Sequence, residues 1–268
     1  MNKMLKLDIE EVKRIQLQIL ADIHKYCENN DIEYFLSYGT LIGAIRHNGY
    51  IPWDDDIDIC MTRPNYDRFI NEYNGTNPDY LCVSFEYDQR FLYTFAKVMD
   101  KNTVLIENTR IKYNLGVNID VFPIDGINDD VELLKKQIHL KRQSDIKSLK
   151  LSKKRHFLKN LVLIAGRVFL FAKSHKKIIQ QMVRNATLHK YELAYNICCV
   201  SYGSDIDKPF PKKSLEERCL CVFEDGYYYI PAEYDSYLRS LYEDYMALPP
   251  EEKRVTHHSY TAYRPYEQ

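Results

Sequence analysis

No stretch of this chain stays apolar for long enough to cross a membrane. The most apolar run, "LKNLVLIAGRVFLFAK", is unbroken only from Leu161 to Ala172, twelve residues that include Arg167, against the roughly 20 that a bilayer demands. The opening "MNKMLKLDIEEVKRIQ" is charged and helical in pattern and lacks the apolar core of a secretory signal, so the expected compartment is the cytoplasm. Internal repeats and low-complexity linkers are also missing, so neither a repeat array nor a tethered tail is expected. Cysteine is scarce and scattered: seven residues, an odd number without repeating spacing, argue against a disulfide framework. Cys198-Cys199 and Cys219-x-Cys221 have no His near them at finger spacing, so the expectation is buried, inert thiols rather than a zinc site.

What remains is the composition of an ordinary globular protein, 45% apolar and 28% charged over 268 residues, enough chain for a sizeable core. The net charge of −1 hides an asymmetry. Residues 135 to 190 hold 16 Lys and Arg against one acid, Asp145, a local +15 that leaves −16 for the rest. Two regions so different are expected to face different partners.

Residues 8 to 28 place Ile9, Val12, Ile15, Ile19 and Ile23 at spacings of three and four behind first-turn acids, an amphipathic helix. "IEYFLSYG" then reads as a strand, "TLIGAIRH" as a short helix, "NGY" as a turn, "DDIDICM" as a second strand and "RPNYDRFINEYN" as a helix opened by Pro64. Strand-like "YLCVSFEY", "FLYTFAKVM", "TVLIEN" and "GVNIDVFPID" follow. This alternation predicts an α/β (α+β) core on a mixed sheet over residues 1 to 128. Residues 129 to 200 read as a basic helical segment without strand signals. Residues 201 to 268, with a strand-like "LCVFEDGYYYIP" and a Tyr-rich helix over 232 to 246, are expected to pack back on the core.

The chemistry centres on "GYIPWDDDIDIC", where Asp54, Asp55, Asp56 and Asp58 crowd into five residues. Side chains alternate on a strand, so Asp56 and Asp58 share one face while Ile57 and Ile59 share the other. Two converging carboxylates repel unless a cation sits between them, and an all-oxygen site suits Mg²⁺ or Mn²⁺. Asp54 and Asp55, next to the Pro-Trp, read as a solvated turn. Upstream, the strand ending in "SYGT" runs into a helix, where Gly39 and Thr40 open a backbone cradle suited to a phosphate. A phosphate cradle followed by an acidic strand is the nucleotidyltransferase-like arrangement, and its third carboxylate usually comes from a later strand. Asp120, set among Val117, Ile119 and Val121, is the best candidate; Asp125, after Pro123, reads as a turn residue.

Three stretches, "YGTLIGAIRHNGYIPWDDDIDICMTRPNYDRF", "GVNIDVFPIDG" and "YEDYMALPPEEKR", resemble the LicD family of phosphotransferases, relatives of fukutin and fukutin-related protein. The resemblance implies metal-dependent transfer of a substituted phosphate: in bacterial members phosphocholine, from CDP-choline to a sugar hydroxyl of a teichoic acid or other surface glycan, and in fukutin relatives ribitol phosphate from CDP-ribitol. By motif it implies Asp56, Asp58 and Asp120 as the catalytic, metal-binding acids. Arg46, Lys97 and Arg110 are candidates for holding the donor's diphosphate, though each alone also fits a structural role, and Lys97 leads because it interrupts an apolar strand. The role of "IRHNGYIPW", between Gly39 and Asp56, stays open.

Ten of the 23 Tyr follow residue 226. An aromatic cage for choline would use such residues, but Tyr234, Tyr237, Leu241 and Tyr245 recur at helical spacing and read as core. The basic segment, dense at Lys153, Lys154, Arg155 and Lys159, suits an anionic or lipid-linked glycan acceptor or peripheral contact with the inner membrane face. No nucleic-acid motif accompanies it, so no nucleic-acid partner is expected.

Overall fold

The computed structural model describes residues 4–128, 130–152, 157–203, 208–256 and 260–265. It opens with a strand, β1 (Met4–Lys6), before the first helix, α1 (Ile9–Asn29). Asp8 and Glu11 cap that helix reciprocally, each side chain accepting from the other's backbone N–H, so two otherwise orphaned donors are satisfied. Its stripe of Val12, Ile15, Ile19 and Ile23 is buried, while Ile9 is exposed. Then come β2 (Phe35–Leu36), α2 (Tyr38–His47), β3 (Asp58–Thr62), α3 (Arg63–Glu72), β4 (Tyr80–Val83), β5 (Ala96–Asp100), β6 (Val104–Glu107) and β7 (Asn118–Gly126). The basic segment folds as α4 (Val131–Ser148), α5 (Phe157–Phe169) and α6 (His175–Ala186). The chain continues through β8 (Asn196–Cys198), β9 (Phe210–Pro211), the hairpin of β10 (Arg218–Phe223) and β11 (Gly226–Pro231), α7 (Tyr234–Leu241) and β12 (Tyr260–Pro265).

The protein is a mixed α/β fold. Its main sheet runs β2-β3-β7-β5-β4, with β8 and β9 added at the far end of β7. Among the described residues only β3 and β7 pair in parallel. A second sheet, β1-β12-β6, ties both ends of the described chain together. One continuous apolar core joins α1, the main sheet and the C-terminal residues Phe223, Tyr228, Tyr237 and Tyr245. Tyr237 and Leu241 are buried there, as their spacing predicts; Tyr245 is buried too, but α7 ends at Leu241, short of the helix expected over 232 to 246, so Tyr245 reaches the core from the turn beyond it. Among the described residues no helix is long and apolar enough to cross a membrane.

Several expectations change. The opening residues are not all helical, since Met4–Lys6 pair with β12. The basic segment is not strand-free: β8 joins the sheet through Asp125↔Cys198, a tertiary pairing that three polar and apolar residues cannot announce. Lys153, Lys154 and Arg155 lie outside the described residues. All seven cysteines are free, but Cys219 is exposed rather than buried.

Asp125 is the largest correction. It is no turn residue but wholly buried in β7, where Arg63 Nε donates to its Oδ1 at 2.6 Å. Such a pair is costly to bury and costlier to break. Arg63→Met should therefore lower stability by about 3–5 kcal/mol, because Asp125 is left in the core without its counter-charge. Urea unfolding of the two proteins side by side checks this, and a loss below 1 kcal/mol would refute it.

Candidate active site

Strand register builds the site. Asp58 on β3 lies opposite Asp120 on β7, and Lys97 on β5 lies opposite the same Asp120. Three residues distant in sequence thus form one row across adjacent strands, on the face away from the core residues Ile57, Ile59, Ile119 and Val121. Lys97 is buried, and its Nζ donates to Asp120 Oδ1 at 2.6 Å and Asn118 Oδ1 at 3.0 Å, with Glu107 at 3.7 Å. Burial would lower the pKa of this ammonium, but Asp120 and Glu107 outweigh it and hold the pKa above its ordinary value. Tyr93 donates to Glu107 and stands beside Lys97.

Asp58 shows the opposite balance. Desolvation pushes its carboxyl well above the usual range, Asp56, Asp120 and Asp54 push further, and Lys97 only partly offsets them. The remaining acids precede the strand rather than forming part of it, because β3 begins at Asp58. Asp54, Asp55 and Asp56 each offer an oxygen within 4.8 Å of the others. The expected solvated turn therefore fails for Asp55, whereas Asp54 is partly exposed and follows the Pro52-Trp53 turn, its N–H donating to the Ile51 carbonyl. Asp55 is buried, its carbonyl accepting from Gln16 Nε2 and the Tyr260 hydroxyl. Those carboxylate oxygens at mutual coordination distance suit a hard divalent ion, whereas Asp120 is drawn towards Lys97.

The helix start performs a different local task from a bare cradle. A Cβ at Gly39 would sit 2.6 Å from Asp54 Oδ2, so glycine is what lets that carboxylate approach the first turn of α2. Tyr38 takes a left-handed φ of 47° there, a conformation that costs a non-glycine residue about 1–2 kcal/mol. Thr40 is buried, and its hydroxyl accepts the Asp58 N–H at 2.8 Å, which fixes the start of β3.

Arg46 lies at the other end of α2, donating to the carbonyls of Tyr245 and Ala247, so it ties α2 to the C-terminal segment. The intervening loop has a similar role. Glu224, at the tip of the β10-β11 hairpin, accepts the Tyr50 N–H and donates its own N–H to the Asn48 carbonyl. Arg110 is exposed and lines a cavity of about 830 Å³ together with Tyr93, Glu107, Lys112, Tyr113 and Lys150. Tyr93 and Glu107 make that cavity adjoin the Lys97–Asp120 pair.

Gln16, Asn118 and Glu107 escaped the sequence reading. Gln16 interrupts the buried stripe of α1 and reaches Asp55 and Asn118 carbonyls; its polarity among Ile15, Ile19 and Leu20 was the available signal. Asn118 sits two residues before Asp120 and so on the same face. Glu107 carried no signal beyond its place at the end of an apolar run.

A sheet that presents acids and one buried lysine beside a helix start has the makings of a phosphate-transferring site. The profile of the family described as "LicD/FKTN/FKRP, nucleotidyltransferase domain" matches residues 31–165. The chain is 32% identical over 271 residues to the lipopolysaccharide cholinephosphotransferase LicD of Haemophilus influenzae, covering 97% of this chain and 99% of that protein. It is also 40% identical over 123 residues to an uncharacterized protein of Rickettsia prowazekii, covering 35% of this chain and 46% of that one. The protein is a phosphotransferase. It belongs to the LicD family.

Proposed function

We propose that this chain moves phosphocholine from CDP-choline to a sugar hydroxyl of a teichoic acid or other surface-glycan precursor, with Mg²⁺ or Mn²⁺ as cofactor. The reading rests on one observation above others: the row of Lys97, Asp120 and Asp58 in a chain similar from end to end to a cholinephosphotransferase. Asp54, Asp55, Asp56 and Asp58 are the residues suited to hold the ion. The bound ion would supply charge stabilisation to the diphosphate and the departing CMP. Asp120, oriented by Lys97, which Asn118 holds in turn, faces the acceptor hydroxyl as the group that receives its proton or a second ion. Lys97 balances the acids in the resting site.

The deciding measurement is CMP release from CDP-choline, CDP-ribitol and CDP-glycerol, with Mn²⁺ and glycan acceptors, followed by mass spectrometry of the acceptor. Gain of phosphocholine without cytosine is expected. A preference for another CDP donor, or a nucleotidylated acceptor, would overturn the assignment.

Arg110 supplies a cation at the cavity mouth to the donor's phosphates in this reading. Arg110→Ala should raise the KM for the donor about tenfold with kcat nearly unchanged, the signature of lost uniform binding. Unaltered donor kinetics would remove Arg110 from the site.

A further inference from the structure

The helix α5 is built inside out. Arg167, Asn160 and Gly166 face the protein: Arg167 donates to the carbonyls of Ile146 and Leu149, Asn160 Nδ2 donates to the Ser152 carbonyl, and Gly166 lies close against Ile146. Leu163 is its buried apolar residue. The opposite side is apolar and open to the surface. Phe157, Leu161, Val162, Val168 and Phe169, with Phe171 in the following turn, are all exposed, and Phe169 and Phe171 each reach 88% exposure. At 3.6 residues per turn the exposed apolar residues of α5 cover an arc of about 160°. A soluble helix normally buries such a face, and an exposed apolar patch of this kind marks an interaction site.

The surrounding charge selects the occupant. The patch lies within residues 135 to 190, whose net charge is +15, and Lys159, Lys176 and Lys177 are exposed on or near the helix. A second copy docking on this face would bring the same positive charge against itself. An anionic lipid surface instead takes up both features, burying the aromatic and aliphatic side chains below the headgroups while the bases meet negative charge. The helix has 13 residues, against the roughly 20 needed to span, so it fits the plane of the interface. We infer that α5 and the turn after it are a membrane-docking element, lying flat on an anionic bilayer with Phe157, Val168, Phe169 and Phe171 inserted. This inference is independent of which donor or acceptor the site uses.

The test is co-flotation of the full chain with vesicles of phosphatidylcholine alone or mixed equally with phosphatidylglycerol. Binding to the mixed vesicles should be at least about tenfold tighter, and should weaken as salt screens the bases. The triple variant Val168→Ser, Phe169→Ser, Phe171→Ser should lose that binding at least about tenfold, with its thermal midpoint and CMP release from soluble substrates unchanged, since these side chains are exposed. A second variant, Phe169→Trp, reads insertion directly as a blue shift of emission on adding mixed vesicles. Because Trp53 also emits, the shift is taken against the parent chain. The inference is overturned if the parent ignores both vesicles, if the triple variant binds as well as the parent, or if the parent proves to be a dimer that the triple variant dissociates.

Discussion

Asp58→Asn should reduce transfer by about three orders of magnitude, roughly 4 kcal/mol of transition-state stabilisation, while the fold survives. The substitution removes charge at almost constant volume, and the Thr40 bond is to the Asp58 backbone N–H, not to its side chain. Asp120→Asn should behave alike. Stability carries a second, independent readout. Desolvation and the neighbouring carboxylates hold the folded-state pKa of Asp58 well above its unfolded value. The metal-free folded protein therefore keeps a proton there that the unfolded chain releases. Its stabilising contribution is full below the ordinary carboxylate range, about pH 4, and is lost as pH rises through the raised value. Mn²⁺ should raise the thermal midpoint more at pH 8 than at pH 5, and Asp58→Asn should both stabilise the metal-free protein at neutral pH and shrink the Mn²⁺ shift. Full activity in Asp58→Asn, or transfer that persists in excess EDTA, would refute the metal assignment.

Lys97→Met should be the most damaging single change to the site's structure. The ammonium is buried against Asp120, Asn118 and Glu107, and removing it leaves two half-buried carboxylates without their counter-charge, a loss of about 3 kcal/mol or more. At about 2–4 °C per kcal/mol for a chain of this size, the thermal midpoint should fall by about 10 °C. The double variant Lys97→Met, Asp120→Asn should recover part of that loss, because the two side chains act on each other. Mn²⁺ should also restore more stability to Lys97→Met than to the parent. Calorimetry of the four proteins, with and without the ion, measures both effects; additive losses would mean that Lys97 acts by packing alone.

Much of this protein is legible in its residues. The stripe from Val12 to Ile23, the alternation of strand and helix to residue 126, the buried Ile57 and Ile59 beneath the acids, and the core role of Tyr237 and Leu241 all follow from local periodicity. The long motif from Tyr38 to Phe69 was enough to point to the LicD family. The basic charge of residues 135 to 190 needed only counting.

Other features were decided by the tertiary structure. Alternation states which residues share a face of a strand, but register between strands is a long-range property, and it alone sets Asp58, Asp120 and Lys97 in one row. The same holds for Asp125, whose place after Pro123 suggests a turn until α3 delivers Arg63 to it. Arg46, a plausible phosphate ligand by type, is claimed by carbonyls nearly two hundred residues away. The pattern of α5 announces an amphipathic helix but not which side meets the protein. Only packing reveals that Asn160 and Arg167 turn inward to satisfy backbone carbonyls, leaving the apolar side to whatever surface the helix meets.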